Sequence, residues 1–241
     1  MKWIKNNLAN FLTLGNLACG FLAIVLVLDP WEEMASTLPF WLMILAAILD
    51  FFDGFIARAT KTSSKIGADL DSLADMVTFG VLPGVIIWSI FPGNFAFIGI
   101  LIPLLSAWRL AKFNNDTRGN EYFYGLATPA NALMIGGFFA LFISHLGNLD
   151  GYHQLIKFSE IHLWFSPIIV VMSFLMVSEV KLLSNKVSPF TIGNAKWHII
   201  VSVSAIILIA IFGYLGISFA IISYVLISII ANFVRSKTTK K

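Results

Sequence analysis

Of 241 residues, 58% are hydrophobic, 14% aromatic and only 12% charged, and the mean hydropathy is +0.86. A soluble domain carries about 25% charged residues, so a water-soluble globule is excluded, and 17 glycines with one cysteine exclude a collagen-like fibre and a disulfide scaffold. The net charge of +3 reads as a signal of membrane topology, with no nucleic-acid partner expected.

Apolar runs fall at 10–28, 38–57, 72–91, 94–113, 129–147, 161–182, 197–214 and 216–234. Each can cross about 30 Å of hydrocarbon as a helix. The runs are continuous and do not alternate with period two, which argues against a barrel. The first run follows Lys2 and Lys5 and has no small-x-small cleavage pattern before Asp29-Pro30, so it is read as a span and not a signal peptide. Cys19 within it can form no internal disulfide and reads as a small packing residue. Pro83 and Pro103 predict kinks in the third and fourth spans. Thr128-Pro129 reads as an N-cap followed by proline at the first helical position.

With the N-terminus placed in the cytoplasm, 15 of the 16 Lys and Arg fall on that side, and only Lys157 lies opposite. Loss of any one span would scramble this asymmetry. The expected fold is therefore an all-α polytopic membrane helical bundle of about eight transmembrane helices. It is a single domain over 1–241, N-in and C-in, with a solvated tail at 235–241.

Asp50, Asp53, Asp69, Asp71 and Asp75 lie at the cytoplasmic ends of spans two and three. A charge at the centre of a lipid-facing helix costs about 2.5–3.5 kcal/mol, so several acids together must face the interior and meet cations. Asp50, Asp53, Gly54 and Ala57 share one helix face, as do Gly67, Asp71 and Asp75, whereas Asp69 points elsewhere. Asp69 is assigned a hydrogen bond or salt bridge at the helix start. Two helices packed side by side would aim four carboxylates at one volume. That donor set suits Mg²⁺, Mn²⁺ or Ca²⁺ and disfavours zinc. Arg58 can pair with a phosphate, and Lys61 to Lys65 add charge and hydroxyls nearby. From these residues alone, a metal-dependent enzyme on a phosphorylated lipid, a cation-coupled transporter and a structural metal site all stay open.

The full string Asp50-x2-Asp53-Gly54-x2-Ala57-Arg58-x8-Gly67-x3-Asp71-x3-Asp75 resembles the signature of the CDP-alcohol phosphatidyltransferase family, matching it at all eight fixed positions across residues 50–75. Asn10-Phe-Leu-Thr13-Leu-Gly-Asn16 is similar to the family's first-helix motif, departing from it at Ala9, where proline is usual. The segments Arg109–Asn114 and Tyr122–Leu133, with two C-terminal spans beyond a six-helix core, look like the membrane-integral phosphatidylserine synthase branch.

The resemblance implies transfer of the phosphatidyl group from CDP-diacylglycerol to the hydroxyl of L-serine, releasing CMP. It implies two divalent cations (Mg²⁺ or Mn²⁺, with Ca²⁺ possible) at Asp50, Asp53, Asp71 and Asp75, with Asp75 as general base. It also implies CDP-diacylglycerol contacts from Asn10, Thr13, Gly54, Arg58 and Ser64. A homodimer is the family expectation, while the charge count itself puts the active site at the cytoplasmic face of a prokaryotic-type inner membrane. Arg109 and Arg118 are candidates for the serine carboxylate or a phosphate, and Asn114 and Asn131 are weaker ones. His145, His153, His162 and His198 are read as packing or interface residues. Glycerol phosphate or inositol phosphate as acceptor would call for a more basic pocket than the sequence offers. A transporter would be expected to show inverted halves, and none is visible.

Overall fold

The computed structural model describes the backbone of residues 2–28, 37–60, 64–115, 123–146, 151–183 and 192–238, and side chains from 7–28, 37–60, 64–115, 124–144, 162–183 and 196–234. These residues are almost wholly helical. In chain order they form α1 (Lys2–Leu28), α2 (Leu38–Thr60), α3 (Lys65–Asp75), a π-helical turn (Met76–Val81), α4 (Leu82–Ile90), a 3₁₀ turn (Gly93–Phe97), α5 (Ile98–Asn114), β1 (Phe123–Tyr124), α6 (Thr128–Leu146), α7 (Gly151–Val177), β2 (Lys181–Leu182), α8 (Ile192–Phe212) and α9 (Tyr214–Thr238).

Every predicted span falls on a helix, but helix and span differ in extent. The first helix begins at Lys2, the third at Lys65, and α7 begins at Gly151 and ends at Val177. A hydropathy window detects the part of a helix that lipid can immerse. Polar turns such as Lys65–Asp75 continue the same hydrogen-bond ladder outside it. Among the described residues, five helical segments are long and apolar enough to cross a membrane: 7–28, 38–60, 65–90, 93–114 and 214–234. Shorter apolar helices cover 128–144, 162–177 and 196–212. The outward faces of long and short helices alike carry exposed apolar residues, among them Phe21, Trp108, Trp164 and Ile206, each 60% exposed or more. Helices apolar on both faces need a lipid solvent, so this is a polytopic helical membrane protein.

The third span is one rod with a change of phase. Pro83 has no N–H to bond Phe79, so the α ladder cannot run through unchanged. The rod widens ahead of it: Leu82 N donates to Val77 O, five residues back. The predicted disturbance at Pro83 thus takes the form of a π turn immediately after Asp75.

The core lies between α2, the π turn, α4, α5, α6 and α7, with Phe40, Met43, Phe79, Ile87, Ile135 and Met176 buried. A two-residue antiparallel ribbon pairs Phe123 with Leu182 and Tyr124 with Lys181. Beside it Gly125 sits at φ +71, and a Cβ there would strike the carbonyls of Leu175, Met176 and Ser178. Gly125 N donates to Val180 O at 2.9 Å and Leu126 N to Leu175 O at 3.1 Å. These bonds fix where α6 starts. At the other end of the chain α9 packs on α6, where Ser218 Oγ donates to Met134 O at 2.6 Å.

Candidate active site

The site is organised by α1. Its buried residues Ala9, Thr13, Asn16, Cys19, Gly20 and Ala23 are all small and recur at helical spacing along one stripe. Small stripes let helix backbones approach closely in lipid, where packing and interhelical hydrogen bonds replace the hydrophobic effect. Gly20 is the closest approach: an added Cβ would collide with the Thr78 side chain and lie 2.9 Å from its Cα. Thr78 Oγ1 donates to Asn16 O at 3.1 Å, joining α1 to the π turn. The acids were expected on two helices packed side by side. In the structure α1 packs along both α2 and α3, which make little direct backbone contact with each other. Three helices, not two, shape the site.

On α2, Met43, Ala46, Asp50 and Asp53 follow one inward face, with Asp53 buried and Asp50 half-buried. On α3, Asp71 is half-buried and Asp75 buried. Carboxylate oxygens of Asp50, Asp53 and Asp71 all lie within 4.8 Å of one another. Two unit charges at that separation repel by about 3 kcal/mol at an effective dielectric of about 20, so the triad calls for a counter-cation. Its donors are hard oxygens throughout, with no cysteine or histidine among them, which fits Mg²⁺, Mn²⁺ or Ca²⁺. Asp75 stands one turn deeper, outside that triad but within electrostatic reach of all three acids. Asp69 is exposed. The cap at the start of α3 is supplied by Ser64 and not by Asp69: Ser64 Oγ accepts from Gly67 N at 3.0 Å.

Neighbours on α1 orient two of the acids. Thr13 Oγ1 lies 2.6 Å from Asp53 Oδ2, with Ala9 O as its other partner at 3.1 Å. Asn16 is fully buried, and its Nδ2 donates to Asp75 Oδ1 at 3.3 Å. Sequence reasoning gave Asn16 no role of its own, although it lies three residues past Thr13 on the same stripe.

Beside the acids opens a cleft of about 270 Å³ lined by Ala9, Asn10, Thr13, Asp53, Gly54, Ala57, Arg58, Ser64, Gly67, Ala68 and Asp71. Asn10, Thr13, Gly54, Arg58 and Ser64, predicted separately from two motifs, all border it. The glycines keep it open. A Cβ on Gly67 would lie 3.2 Å from both Asn10 Oδ1 and Ser64 Oγ, and one on Gly54 would lie 3.2 Å from Arg58 Nη1. Exposed Arg58 folds back over Gly54, so a guanidinium stands at the mouth of the cleft with the acids inside.

Arg109 of α5 is 9% exposed and donates from Nη1 to Thr128 Oγ1 at 2.9 Å. It lies within electrostatic reach of Asp75. The Thr128 hydroxyl, predicted as a cap, thus serves as an acceptor for Arg109. Asn131 follows three residues on and is fully buried. Asn114 donates to Ser72 Oγ at 2.8 Å, tying the end of α5 to α3. His162 packs between Phe91 and Phe95, with the nearer ring centroid at 4.5 Å. Arg118, Lys61 and the side chains of His145 and His153 lie outside the described residues.

The chain is similar in sequence to known proteins. A family model described as CDP-alcohol phosphatidyltransferase matches residues 6–157. A Methanocaldococcus jannaschii protein named CDP-diacylglycerol–serine O-phosphatidyltransferase is 34% identical over 176 residues, covering 72% of each chain. A Helicobacter pylori protein of the same name is 35% identical over 147 residues, covering 58% of each. A Methanothermobacter thermautotrophicus archaetidylserine synthase is 33% identical over 180 residues, covering 72% of this chain and 68% of that one.

Proposed function

Since the chain belongs to the CDP-alcohol phosphatidyltransferase family, we propose that it transfers the phosphatidyl group of CDP-diacylglycerol to the hydroxyl of L-serine, giving phosphatidylserine and CMP. The observation that carries this reading is the convergence of Asp50, Asp53 and Asp71 within 4.8 Å beside a cleft bordered by all five residues assigned to the nucleotide. Relatives named for the serine reaction support the choice of acceptor.

Asp50, Asp53 and Asp71, with Asp75 one turn deeper, would hold two divalent cations, Mg²⁺ or Mn²⁺, with Ca²⁺ as the alternative. Such ions, when bound, supply neutralisation of charge on the pyrophosphate. The protein's own groups do the rest. Asn10, Thr13, Gly54, Arg58 and Ser64 hold the CDP portion in the cleft. Arg58 pairs with phosphate at its mouth. Asp75 accepts the serine hydroxyl proton as that oxygen bonds to the phosphorus bearing diacylglycerol. The bond from this phosphorus to the bridging oxygen breaks, and CMP leaves with the electron pair. Asn16 holds Asp75 in place through the bond at 3.3 Å. Arg109 would pair with the acceptor carboxylate, Arg118 being the other candidate from the sequence. The eight helical segments cross a prokaryotic-type inner membrane with both termini and the cleft on the cytoplasmic side, and two copies form a homodimer.

The test is CMP release by purified protein given CDP-diacylglycerol, Mg²⁺ or Mn²⁺ and a panel of L-serine, glycerol phosphate and inositol phosphate. Serine alone should support turnover, and Asp75→Asn should abolish it while the protein stays folded. No CMP with any acceptor defeats the enzyme reading; preference for a phosphorylated alcohol defeats the serine assignment.

A further inference from the structure

Asn131, in the first turn of α6, is 0% exposed, and neither its Nδ2 nor its Oδ1 has a hydrogen-bond partner among the described residues. A buried carboxamide is ordinarily paired at both ends, because burial strips its water and returns nothing unless a partner is supplied. Here a donor end and an acceptor end are both unspent. Exchanging the two ends of the amide leaves that statement unchanged.

The surroundings suggest what would spend them. Thr128 and Asn131 are three residues apart and share a face of α6. Thr128 holds the Arg109 guanidinium at 2.9 Å, and Arg109 lies within electrostatic reach of Asp75. Gly125 and Leu126, bonded to Val180 O and Leu175 O, fix the start of that helix. A rigidly placed amide and a buried cation are thus brought to the side of the bundle that holds the deepest acid.

The geometry points to Asn131 as a specificity-determining residue that reads an amino-acid acceptor. Its oxygen accepts from the α-ammonium and its nitrogen donates to the α-carboxylate, which Arg109 neutralises. An amino acid offers both a cationic donor and an anionic acceptor, the complement of a two-ended amide beside a guanidinium. A phosphorylated alcohol offers an anion and neutral hydroxyls but no ammonium, so the amide oxygen would lose a charge-assisted hydrogen bond. Sites that hydrogen-bond a substrate group discriminate strongly against analogues lacking it. This inference rests on the serine reading above and extends it to the residue that makes the choice.

The experiment uses full-length purified protein with saturating Mg²⁺ and follows CMP release. Unmodified protein is given L-serine, N-acetyl-L-serine, which lacks the cation, and L-serine methyl ester, which lacks the anion. Asn131→Ala and Asn131→Leu are titrated with L-serine and, separately, with CDP-diacylglycerol. The analogues should react at least about 100-fold more slowly than serine. Both variants should raise the KM for serine about tenfold or more, with the KM for CDP-diacylglycerol within about twofold of the unmodified value. An unchanged serine KM, or equal rates with N-acetyl-L-serine and L-serine, overturns the assignment and leaves an amide that binds structural water only. Where a variant fails to fold, equal rates with the analogues still overturn the assignment, and the other variant supplies the serine KM. Absence of serine-dependent CMP release from the unmodified protein is a separate result, which overturns the underlying reaction and this inference with it.

Discussion

Thr13 and Asn16 show how a polar residue in a membrane helix earns its place through the residue it holds. Thr13 Oγ1 stands 2.6 Å from Asp53 and Asn16 Nδ2 stands 3.3 Å from Asp75, and partners of this kind typically control about 10–100-fold in metal affinity or activity. Thr13→Val should therefore raise the Mg²⁺ concentration for half-maximal CMP release by about 10–100-fold, read from a metal titration at saturating substrate. Asn16→Leu, which leaves Asp75 without that donor, should lower kcat by a similar factor while leaving the KM for CDP-diacylglycerol unchanged. The acids themselves were legible in the sequence because an intramembrane carboxylate is too costly to be incidental. Asn16 was not assigned because its partner is 59 residues away, and no local spacing records which helices cross. Asn10 and Thr13 were legible through their helix face, and both border the cleft.

For the elements, the telling contrast is between two glycines. Gly20 meets Thr78 at the crossing of α1 and the π turn, where an added Cβ would lie 2.9 Å from backbone. Gly20→Ala must push the two elements apart at a cost of about 1–3 kcal/mol, and that shift moves Asn16 away from Asp75. Thermal unfolding should move down and CMP release should slow together. Gly93, at φ +53 with open space around it, carries only the left-handed penalty of about 1–2 kcal/mol when replaced by alanine. Gly93→Ala should lower the unfolding temperature without changing the rate at temperatures where the protein is folded. The helices were legible from continuous apolar runs, and Pro83 announced a disturbance. The π turn and the β1–β2 ribbon were not legible, since a one-residue phase change and a two-residue pairing leave no periodic trace. The acids of α2 and α3 converge as expected, but the packing of α1 along both helices was not foreseen, because a face pattern says what a helix turns inward, not which neighbour it meets.

Taken whole, the molecule is defined by its outer apolar surface. The proposed topology, which gathers fifteen of the sixteen Lys and Arg on one side, would put exposed Lys65 in the cytoplasm and exposed Asn94, one helix away, on the opposite face. In sealed vesicles of known orientation, Lys65→Cys should react with an impermeant maleimide only from the cytoplasmic side and Asn94→Cys only from the other. The native Cys19 is buried, so background labelling should be low. Reaction of both from one side would overturn the topology. Chelation with EDTA should abolish CMP release, and added Mg²⁺ or Mn²⁺ should restore it; activity that survives chelation would remove the metal from the mechanism.

The dimensions of the cleft carry a consequence for the cell's membranes. A volume of about 270 Å³ walled by small and polar residues has room for a nucleotide headgroup and none for two long hydrocarbon tails. The tails of the proposed lipid substrate would therefore lie outside this cleft, in the surrounding bilayer. This cleft would then exert no selection on chain length or unsaturation, and the fatty-acid profile of the proposed product should copy that of the precursor pool.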